Sequence, residues 1–317
     1  ARTGADESGP MIYDSSAFVL PLPPGHRFPV AKYARLAERV AGLAAPLVRV
    51  PDAATERELG RAHDPAYVEA VSRGTLDERA QRRIGFPWST AMVERSRRSA
   101  GATLAACRSA VDRGLGINLA GGTHHAHRAH GEGYCVFNDA AVAARAMQAE
   151  GLATRVLVVD LDVHQGDGTA SIFAGDPDVT TLSIHGRRNF PFRKRASTID
   201  VELDDGTGDD AYLATLATVL PRAIDRARPD LAIYLAGADP FRGDRLGRLA
   251  LGKAGLADRD RMVLDRLAAL GIPVAIAMAG GYADDVDDIV DIHLATVAIA
   301  LERAGALPRA RATMPAC

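Results

Sequence analysis

Six short runs of apolar and β-branched residues recur along the chain, with longer amphipathic stretches between them. The apolar runs occupy residues 47–50, 116–120, 155–163, 179–185, 230–239 and 273–281. The amphipathic stretches include residues 91–113, 138–150, 210–227, 258–270 and 284–304. Short apolar runs are typical of strands buried on both faces, and amphipathic stretches are typical of the helices that cover them. The pattern predicts an α/β fold with a central, mainly parallel β-sheet and helices on both faces.

The chain shows no linker, low-complexity tract or internal repeat, so we expect one domain over residues 11–317. Residues 1–10 precede Met11 and are expected to be a disordered or added tail. Helix boundaries are also indicated: Asn138 and Asp139 can cap a helix start, and Gly151 and Gly271 stand where C-terminal cap glycines belong.

The balance of charges excludes some classes of partner. Net charge is −2, from 38 basic and 40 acidic side chains, which favours neither nucleic acid nor an anionic membrane as a partner. No apolar window reaches the length of about 18 residues expected of a transmembrane helix. The three cysteines form no CxxC pair, which is typical of a reducing cytoplasm. We expect a cytoplasmic protein, and its strong preference for arginine over lysine suggests a bacterial source.

Four of the predicted strands, over residues 116–120, 156–161, 231–236 and 274–279, end in polar residues or glycines. These occupy residues 121–125, 162–167, 237–239 and 280–282. Open parallel sheets bind ligands outside the carboxyl ends of their strands. We therefore expect these four segments to face one crevice.

The segment "DLDVH" places two carboxylates and an imidazole at alternate positions. Asp160, Asp162 and His164 would share one face of an extended chain, and Asp239 follows a separate strand. Two carboxylates and one histidine, with a coordination position left open, are typical of catalytic zinc, and Fe²⁺, Mn²⁺ or Co²⁺ would also suit. The alternative is a polar strand end whose aspartates cap the following turn.

Four histidines lie within seven positions of the segment "HHAHRAH". His124 and His125 follow two glycines, and adjacent residues of an extended segment point in different directions, so we expect proton transfer rather than shared metal ligation. The alternative is a structural pair. His127 and His130 lie in a loop rich in glycine and arginine and are expected to be solvated.

Tyr282 could stabilise an oxyanion with its phenol, although a tyrosine that only packs its ring is the alternative. Tyr134 and Phe190 could line an apolar slot.

Together these residues resemble the histone deacetylase family, within the arginase/deacetylase fold. The matching segments are "GGTHHAHRAHGEGYCVFNDAAVAA", "VLVVDLDVHQGDGT", "LSIH…NFP", "AGADPFRGDRLGRL" and "AGGY", in family order from about His63 to about His293. "HQGDG", "GDRLGRL" and the opening "FVLPLPPGHRFP" are similar to the class IV branch and its bacterial relatives.

The resemblance implies a role for each residue of the site. Asp162, His164 and Asp239 would hold zinc, with Fe²⁺ as an alternative, and Tyr282 would polarise the carbonyl. The proton-transfer pair would be His124 and His125, oriented by Asp160 and Asp167 respectively.

The resemblance also implies a substrate tunnel and a second cation. The tunnel would be walled by Gly133, Tyr134, Phe190 and Gly281. A structural potassium ion would be bound by Asp160, Ser183 and the carbonyls of Asp162, His164 and Ile184. This sequence departs from the family at two points. Residues 82–90 contain no evident counterpart of the acidic rim residue, and the family arginine below the tunnel corresponds only loosely, to Arg27.

The implied activity is that of a zinc-dependent amidohydrolase that removes acetyl or longer acyl groups from Nε-acyl-lysine by attack of metal-activated water. An alternative enzyme would act on acetylpolyamines or other small acylated amines. Arginase-like chemistry would need more metal ligands than these segments provide. An alternative of another class is a catalytically silent protein that binds acyl-lysine. The sequence indicates no particular oligomeric state.

Overall fold

The computed structural model describes residues 9–307, so most of the predicted tail and Cys317 lie outside the described residues. Eight strands form one sheet in which every pairing is parallel. The strands are β1 (Met11–Tyr13), β2 (Val48–Arg49), β3 (Leu115–Asn118), β4 (Val156–Asp160), β5 (Val179–Gly186), β6 (Ile199–Leu203), β7 (Leu231–Leu235) and β8 (Val274–Ala277). Their order across the sheet is β2-β1-β3-β8-β7-β4-β5-β6.

Ten α-helices surround this sheet within residues 9–307. They are α1 (Ala31–Ala44), α2 (Glu56–Leu59), α3 (Pro65–Arg73), α4 (Glu78–Ile84), α5 (Thr90–Arg113), α6 (Asp139–Ala149), α7 (Asp167–Ile172), α8 (Asp209–Ala227), α9 (Lys253–Ala269) and α10 (Val286–Arg303). Helices α5 and α6 pack in one apolar core, and α1, α8, α9 and α10 pack in another. No helix of this described part is long and apolar enough to cross a membrane.

The two cores lie on opposite faces of the sheet. In β4, Leu157 and Val159 belong to the core of α8 and α9, whereas Val156 and Val158 belong to the core of α5 and α6. Successive side chains of a strand point to opposite faces, so a strand between two cores must be apolar at every position. The predicted α/β architecture, with helices on both faces of a parallel sheet, is confirmed.

Local sequence signals explain several helix boundaries. Asn138 caps α6, because its side chain accepts a hydrogen bond from the Ala141 amide. Gly151 and Gly271 have φ angles of +70° and +66°, in the left-handed region that favours glycine after a helix. These three boundary predictions are confirmed.

The strands are shorter than the apolar runs that predicted them. The run over residues 155–163 forms a strand only as far as Asp160, and the Asp162 amide then donates to an Asp160 carboxylate oxygen, which turns the chain. The expectation of an extended chain through His164 is therefore wrong. Strands β1 and β6 and helix α1 were not predicted.

Candidate active site

The four segments that were expected to share a crevice follow β3, β4, β7 and β8. These strands are neighbours in the centre of the sheet, in the order β3-β8-β7-β4. Since all four are parallel, their carboxyl ends lie at one edge, and the side chains that follow them meet there. The residues described below contact one another across these four segments, as the crevice hypothesis predicts.

Asp162, His164 and Asp239 form a compact buried cluster. Nδ1 of His164 lies 3.0 Å from Oδ1 of Asp162 and 3.2 Å from Oδ2 of Asp239. Zinc bonds of about 2.0–2.2 Å in tetrahedral geometry separate neighbouring ligand atoms by about 3.3 Å. The two separations from Nδ1 of His164 are close to that spacing, and all three ligand atoms lie within 4.8 Å of one another. The donor set of two carboxylates and one imidazole suits zinc.

The charges of this cluster also favour a bound cation. Burial and the neighbouring charge of Asp162 raise the pKa of Asp239 to about 7. Burial lowers the pKa of His164, but Asp162 and Asp239 outweigh it and raise that pKa to about 10. Gly280 leaves the space free, because a Cβ atom there would overlap carboxylate oxygens of Asp239 and Asp162. Asp162 and Asp239 are two buried carboxylates beside the same imidazole. Such carboxylates repel each other unless a positive charge lies between them.

His124 and His125 each hydrogen-bond a different carboxylate. Nδ1 of His124 lies 2.6 Å from Oδ2 of Asp160, and Nδ1 of His125 lies 2.7 Å from Oδ1 of Asp167. The two rings lie 4.2 Å apart between centroids and are both buried. Each Nδ1–H donates to its carboxylate, so Nε2 of each ring is left to exchange protons.

The two histidines have opposite proton affinities. Burial lowers the pKa of His124, but the charges of Asp160 and Asp162 prevail and raise it to about 9. Burial and the positive charge of His124 lower the pKa of His125 to about 4, against the opposing effect of Asp167. The two rings are thus shifted in opposite directions, which is the arrangement of an acid beside a base.

Tyr282 is held over this site by its backbone. Its amide donates to Oδ2 of Asp244 at 2.6 Å, and its carbonyl accepts from Nε of Arg245 at 2.9 Å. Its ring meets the His164 ring edge to face, with centroids 6.3 Å apart. Burial and the charges of Asp162 and Asp239 raise the phenol pKa well above its usual range, so the hydroxyl remains a hydrogen-bond donor.

Asp244 was not predicted as a site residue. Besides the Tyr282 amide, it accepts hydrogen bonds from the amides of Leu246 and Gly247, two and three residues further along the chain. An aspartate that precedes a turn and bonds its amides is a sequence signal that could have identified it.

A buried lysine lies beneath Tyr282. Nζ of Lys32 lies 3.4 Å from the carbonyl oxygen of Ala279 and 3.3 Å from that of Gly281, and 5.4 Å from the centroid of the Tyr282 ring. Arg27, which the resemblance matched to the cation below the tunnel, is exposed. That match is wrong, because the first turn of α1 points Lys32 inward whereas Arg27 lies in the loop before it.

The prediction that His127 is solvated is also wrong. The His127 side chain is buried, and its ring nitrogens lie 2.7 Å from Oγ of Ser171 and 3.2 Å from Oδ2 of Asp167. It therefore binds the same carboxylate that orients His125. His130 is partly exposed and stacks on His127, with ring centroids 4.4 Å apart.

His127, His130 and Glu132 offer ligand atoms within 4.8 Å of one another. We do not assign a metal to them. Burial, His127 and the guanidinium groups of Arg83 and Arg195 lower the pKa of His130 to about 4, and a metal ion would meet the same repulsion.

A cavity of about 790 Å³ leads to the site. Gly133, Tyr134 and Phe190 line it, together with His125, His164 and Tyr282. Gly281, the fourth predicted tunnel residue, does not line it: a Cβ atom at Gly281 would point toward Ile289, and its carbonyl faces Lys32. A smaller space of about 50 Å³ lies at the site itself, where Asp162, His164 and Tyr282 border it. Phe28, Lys32 and Tyr33 border it as well.

Arg259, in α9, supports the loops that carry the two aspartates of the cluster. Its guanidinium is fully buried, and Nη1 donates to the carbonyl of Gly237 at 2.6 Å and to that of Leu161 at 3.3 Å. Leu161 directly precedes Asp162, and Gly237 stands two residues before Asp239. Asp260 accepts from Nε of Arg259.

The residues expected to bind potassium surround the end of β4. Asp160 pairs with Ser183 in register, and Ile184 follows Ser183 in β5. Ser183 Oγ also lies 2.9 Å from Nδ1 of His185.

Comparison with protein-family models matches residues 26–297 to the histone deacetylase domain. An uncharacterised protein of Picosynechococcus is 45% identical over 287 residues, which cover 90% of this chain and 95% of that protein. The acetoin utilization protein AcuC of Bacillus subtilis is 34% identical over 63% of this chain and 57% of its own length. Histone deacetylase 2 of Arabidopsis thaliana is 35% identical over 59% of this chain, which spans 49% of that protein.

Two solved structures share the fold. A histone deacetylase homologue in complex with SAHA has a TM-score of 0.80 at 22% identity and covers 94% of this chain and 84% of its own. The HD domain of HDA15 has a TM-score of 0.76 at 24% identity, and the match covers 92% of this chain and 90% of the HDA15 chain.

Proposed function

The chain belongs to the histone deacetylase family of hydrolases, and from this premise we propose that it is a zinc-dependent deacylase of Nε-acyl-lysine. The observation that carries the proposal is the convergence of two histidines, each hydrogen-bonded to its own carboxylate, on a buried cluster of two carboxylates and an imidazole that could hold a metal ion. Amide hydrolysis needs those parts: a base for water, an acid for the leaving amine and a stabiliser of the oxyanion.

Asp162, His164 and Asp239 would hold the zinc ion. When bound there, zinc supplies Lewis-acid chemistry, which polarises the acyl carbonyl and makes water more acidic. Iron(II) would fit the same donors.

The other site residues would move protons and stabilise charge. His125, whose pKa is lowered, accepts a proton from the attacking water through Nε2, and Asp167 stabilises the resulting imidazolium. His124, held cationic by Asp160, donates to the departing lysine amine. Tyr282 donates a hydrogen bond from its phenol to the oxyanion of the tetrahedral intermediate.

We also propose a structural potassium ion bound by Asp160, Ser183 and the carbonyls of Asp162, His164 and Ile184. Asp160 would then serve both the ion and His124, and its charge would be fixed by two cationic neighbours.

Acylpolyamine hydrolysis is disfavoured by the cavity wall. A polyamine carries several positive charges and needs carboxylates at the entrance, whereas arginines predominate there. The positive wall favours acyl-lysine within a peptide or protein over a free polycation.

The experiment that tests the proposal is hydrolysis of an acyl-lysine peptide panel, from acetyl to long-chain acyl groups. Zinc-loaded wild type is compared with His125→Ala, and zinc content is measured in both. We expect the wild type to cleave at least one member and the variant to be inactive although it binds zinc. Stoichiometric zinc without hydrolysis of any member would contradict the proposal. Saturable binding of the uncleaved peptides would then support the silent acyl-lysine-binding alternative.

A further inference from the structure

The wall of the large cavity is strongly biased in charge. Within the described residues it is lined by one carboxylate, from Glu132, and five guanidinium groups, from Arg82, Arg83, Arg188, Arg245 and Arg248. We infer that the enzyme selects acyl-lysines that are flanked by acidic residues in a peptide or protein. This inference rests on the proposed function, because it names the substrate class of the same site.

The arginines come from three separate segments. Arg82 and Arg83 occupy the last turn of α4. Arg188 follows β5, and Arg245 and Arg248 lie between β7 and α9. The positive charge therefore belongs to the wall as a whole. Arg82 and Arg83 also belong to residues 82–90, the segment that has no counterpart of the family's acidic rim residue.

Arg83 differs from the other four arginines of the wall, each of which pairs with a carboxylate. Arg83 makes no such pair within 4.0 Å among residues 9–307, and its side chain is partly exposed. Its charge acts on Glu132 and His130, which lie beside it in the fold. A carboxylate from a substrate could pair with Arg83 without displacing an existing partner.

Three of the remaining arginines have carboxylate partners that a substrate could replace, whereas Arg245 pairs with Asp284 and also holds the Tyr282 carbonyl. Arg188 and Arg248 share Asp205, at 3.8 and 3.2 Å, and their side chains are 76% and 56% exposed. Arg82 pairs with Glu78, and both are exposed. Ion pairs this exposed contribute little free energy, so exchanging one carboxylate for another costs little.

The geometry of a peptide agrees with this selection. An extended chain advances about 3.3 Å per residue, so residues one to three positions from the acyl-lysine lie within about 10 Å of the opening. Arginine side chains can bind carboxylates there through paired hydrogen bonds. Lysine or arginine at the same positions would be repelled.

The test compares three acetyl-lysine peptides of equal length, with Glu, Gln or Arg at the two positions on either side. If acetyl-lysine is a poor substrate, the acyl group preferred in the panel replaces it. We expect kcat/KM to be about tenfold higher for the Glu peptide than for the Arg peptide, mainly through KM, as two replaced surface ion pairs would give. The preference should shrink between about 0.05 M and about 0.5 M salt, because screening weakens it.

Variants identify the source of the preference. In Arg83→Gln/Arg248→Gln, the ratio between the Glu and Arg peptides should fall to about twofold or less. Arg57→Gln, which removes an exposed arginine of α2 outside the cavity wall, should leave the ratio unchanged. If Arg57→Gln lost the preference for the Glu peptide to the same extent, the arginines of the cavity wall would not be its source.

The outcomes separate this inference from the proposed function. Equal cleavage of the three peptides at all salt concentrations would overturn the charge selection and leave the deacylase intact. If no peptide is cleaved, the proposed function fails, and fluorescence anisotropy of the labelled peptides still tests the wall: tighter binding of the Glu peptide supports it, and equal binding refutes it.

Discussion

Among single residues, Tyr282 differs from its neighbours because it would stabilise charge without binding metal or exchanging a proton. Tyr282→Phe keeps the ring that packs on His164 and the backbone bonds to Asp244 and Arg245. Loss of one oxyanion donor typically lowers turnover by about 10²–10³. We expect kcat to fall by that factor while zinc content stays unchanged. Single-turnover kinetics and metal analysis check this, and near-normal turnover would exclude the proposed role.

His63 should make the stability of the fold depend on pH. Its buried ring donates through Nδ1 to the His127 carbonyl and accepts the Asn138 amide at Nε2, each at 2.9 Å, so only the neutral ring fits. Burial lowers its pKa to about 4 from 6.5. A lowered histidine pKa means that the unfolded chain takes up the proton first. The contribution of neutral His63 to the free energy of unfolding is therefore complete above pH 6.5 and is lost as the pH falls toward 4.

The corresponding measurement is the free energy of unfolding in urea for wild type and His63→Gln at pH 7 and pH 5. The destabilisation caused by the substitution should be about 2 kcal/mol smaller at pH 5 than at pH 7. An equal destabilisation at both pH values would show that protonation of His63 is not opposed by the fold.

At the scale of secondary-structure elements, a buried polar network joins α9 to the strands. Asp260 pairs with Arg259 and accepts hydrogen bonds from Tyr234 of β7 and Thr296 of α10. Arg259→Leu would leave the Asp260 charge without its partner, which typically costs about 3–5 kcal/mol. It also removes the donor to the Leu161 and Gly237 carbonyls, which holds the loops of Asp162 and Asp239 in place. Loss of a group that orients metal ligands typically lowers metal affinity tenfold or more, so zinc affinity should fall by about that factor.

A double variant separates these two effects. Arg259→Leu/Asp260→Asn removes the unpaired charge, so it should recover much of the stability but not the zinc affinity. Arg261→Leu, at an exposed position of the same helix, is the matched control and should change the free energy of unfolding by less than about 0.5 kcal/mol. Full recovery of zinc affinity in the double variant would contradict a positioning role for Arg259.

The elements also show what sequence patterns can and cannot predict. Residues at the ends of β3, β4, β7 and β8 could be grouped from the sequence, because parallel strands bring their carboxyl ends to one edge whatever the rest of the chain does. Strand β6 was not predicted from the sequence because it has no continuous apolar run. Its side chains alternate between partly buried and exposed, and Asp200 and Glu202 are exposed.

Side chains whose partners come from distant segments were harder to predict. Loop composition indicated solvent around His127, but the Asp167 carboxylate, 40 residues away, faces its ring. Lys32 gives no local signal either, since its partners Ala279 and Gly281 lie almost 250 residues further along the chain. Such contacts depend on the packing of α1 and the β8 loop, which short patterns do not encode.

For the molecule as a whole, the proposed zinc site should couple metal binding to stability. The aspartates of the site follow β4 and β7, adjacent strands between the two apolar cores, and no single segment contains all three ligands. The unfolded chain therefore lacks the site, and a ligand that binds only the folded state stabilises it by mass action. Free zinc at about 1,000 times its dissociation constant should add about 4 kcal/mol to the free energy of unfolding.

Chemical denaturation in zinc buffers of known free concentration measures this coupling, and a chelator should reverse it. In Asp239→Asn the zinc-dependent increment should largely disappear, because the site loses a charged ligand. Asp287→Asn, at an exposed position of α10, should retain the full increment. If wild type showed no increment, or Asp239→Asn showed the same one, the stabilising metal would not lie between β4 and β7, and the ligand assignment that underlies the proposed deacylase would have to be abandoned.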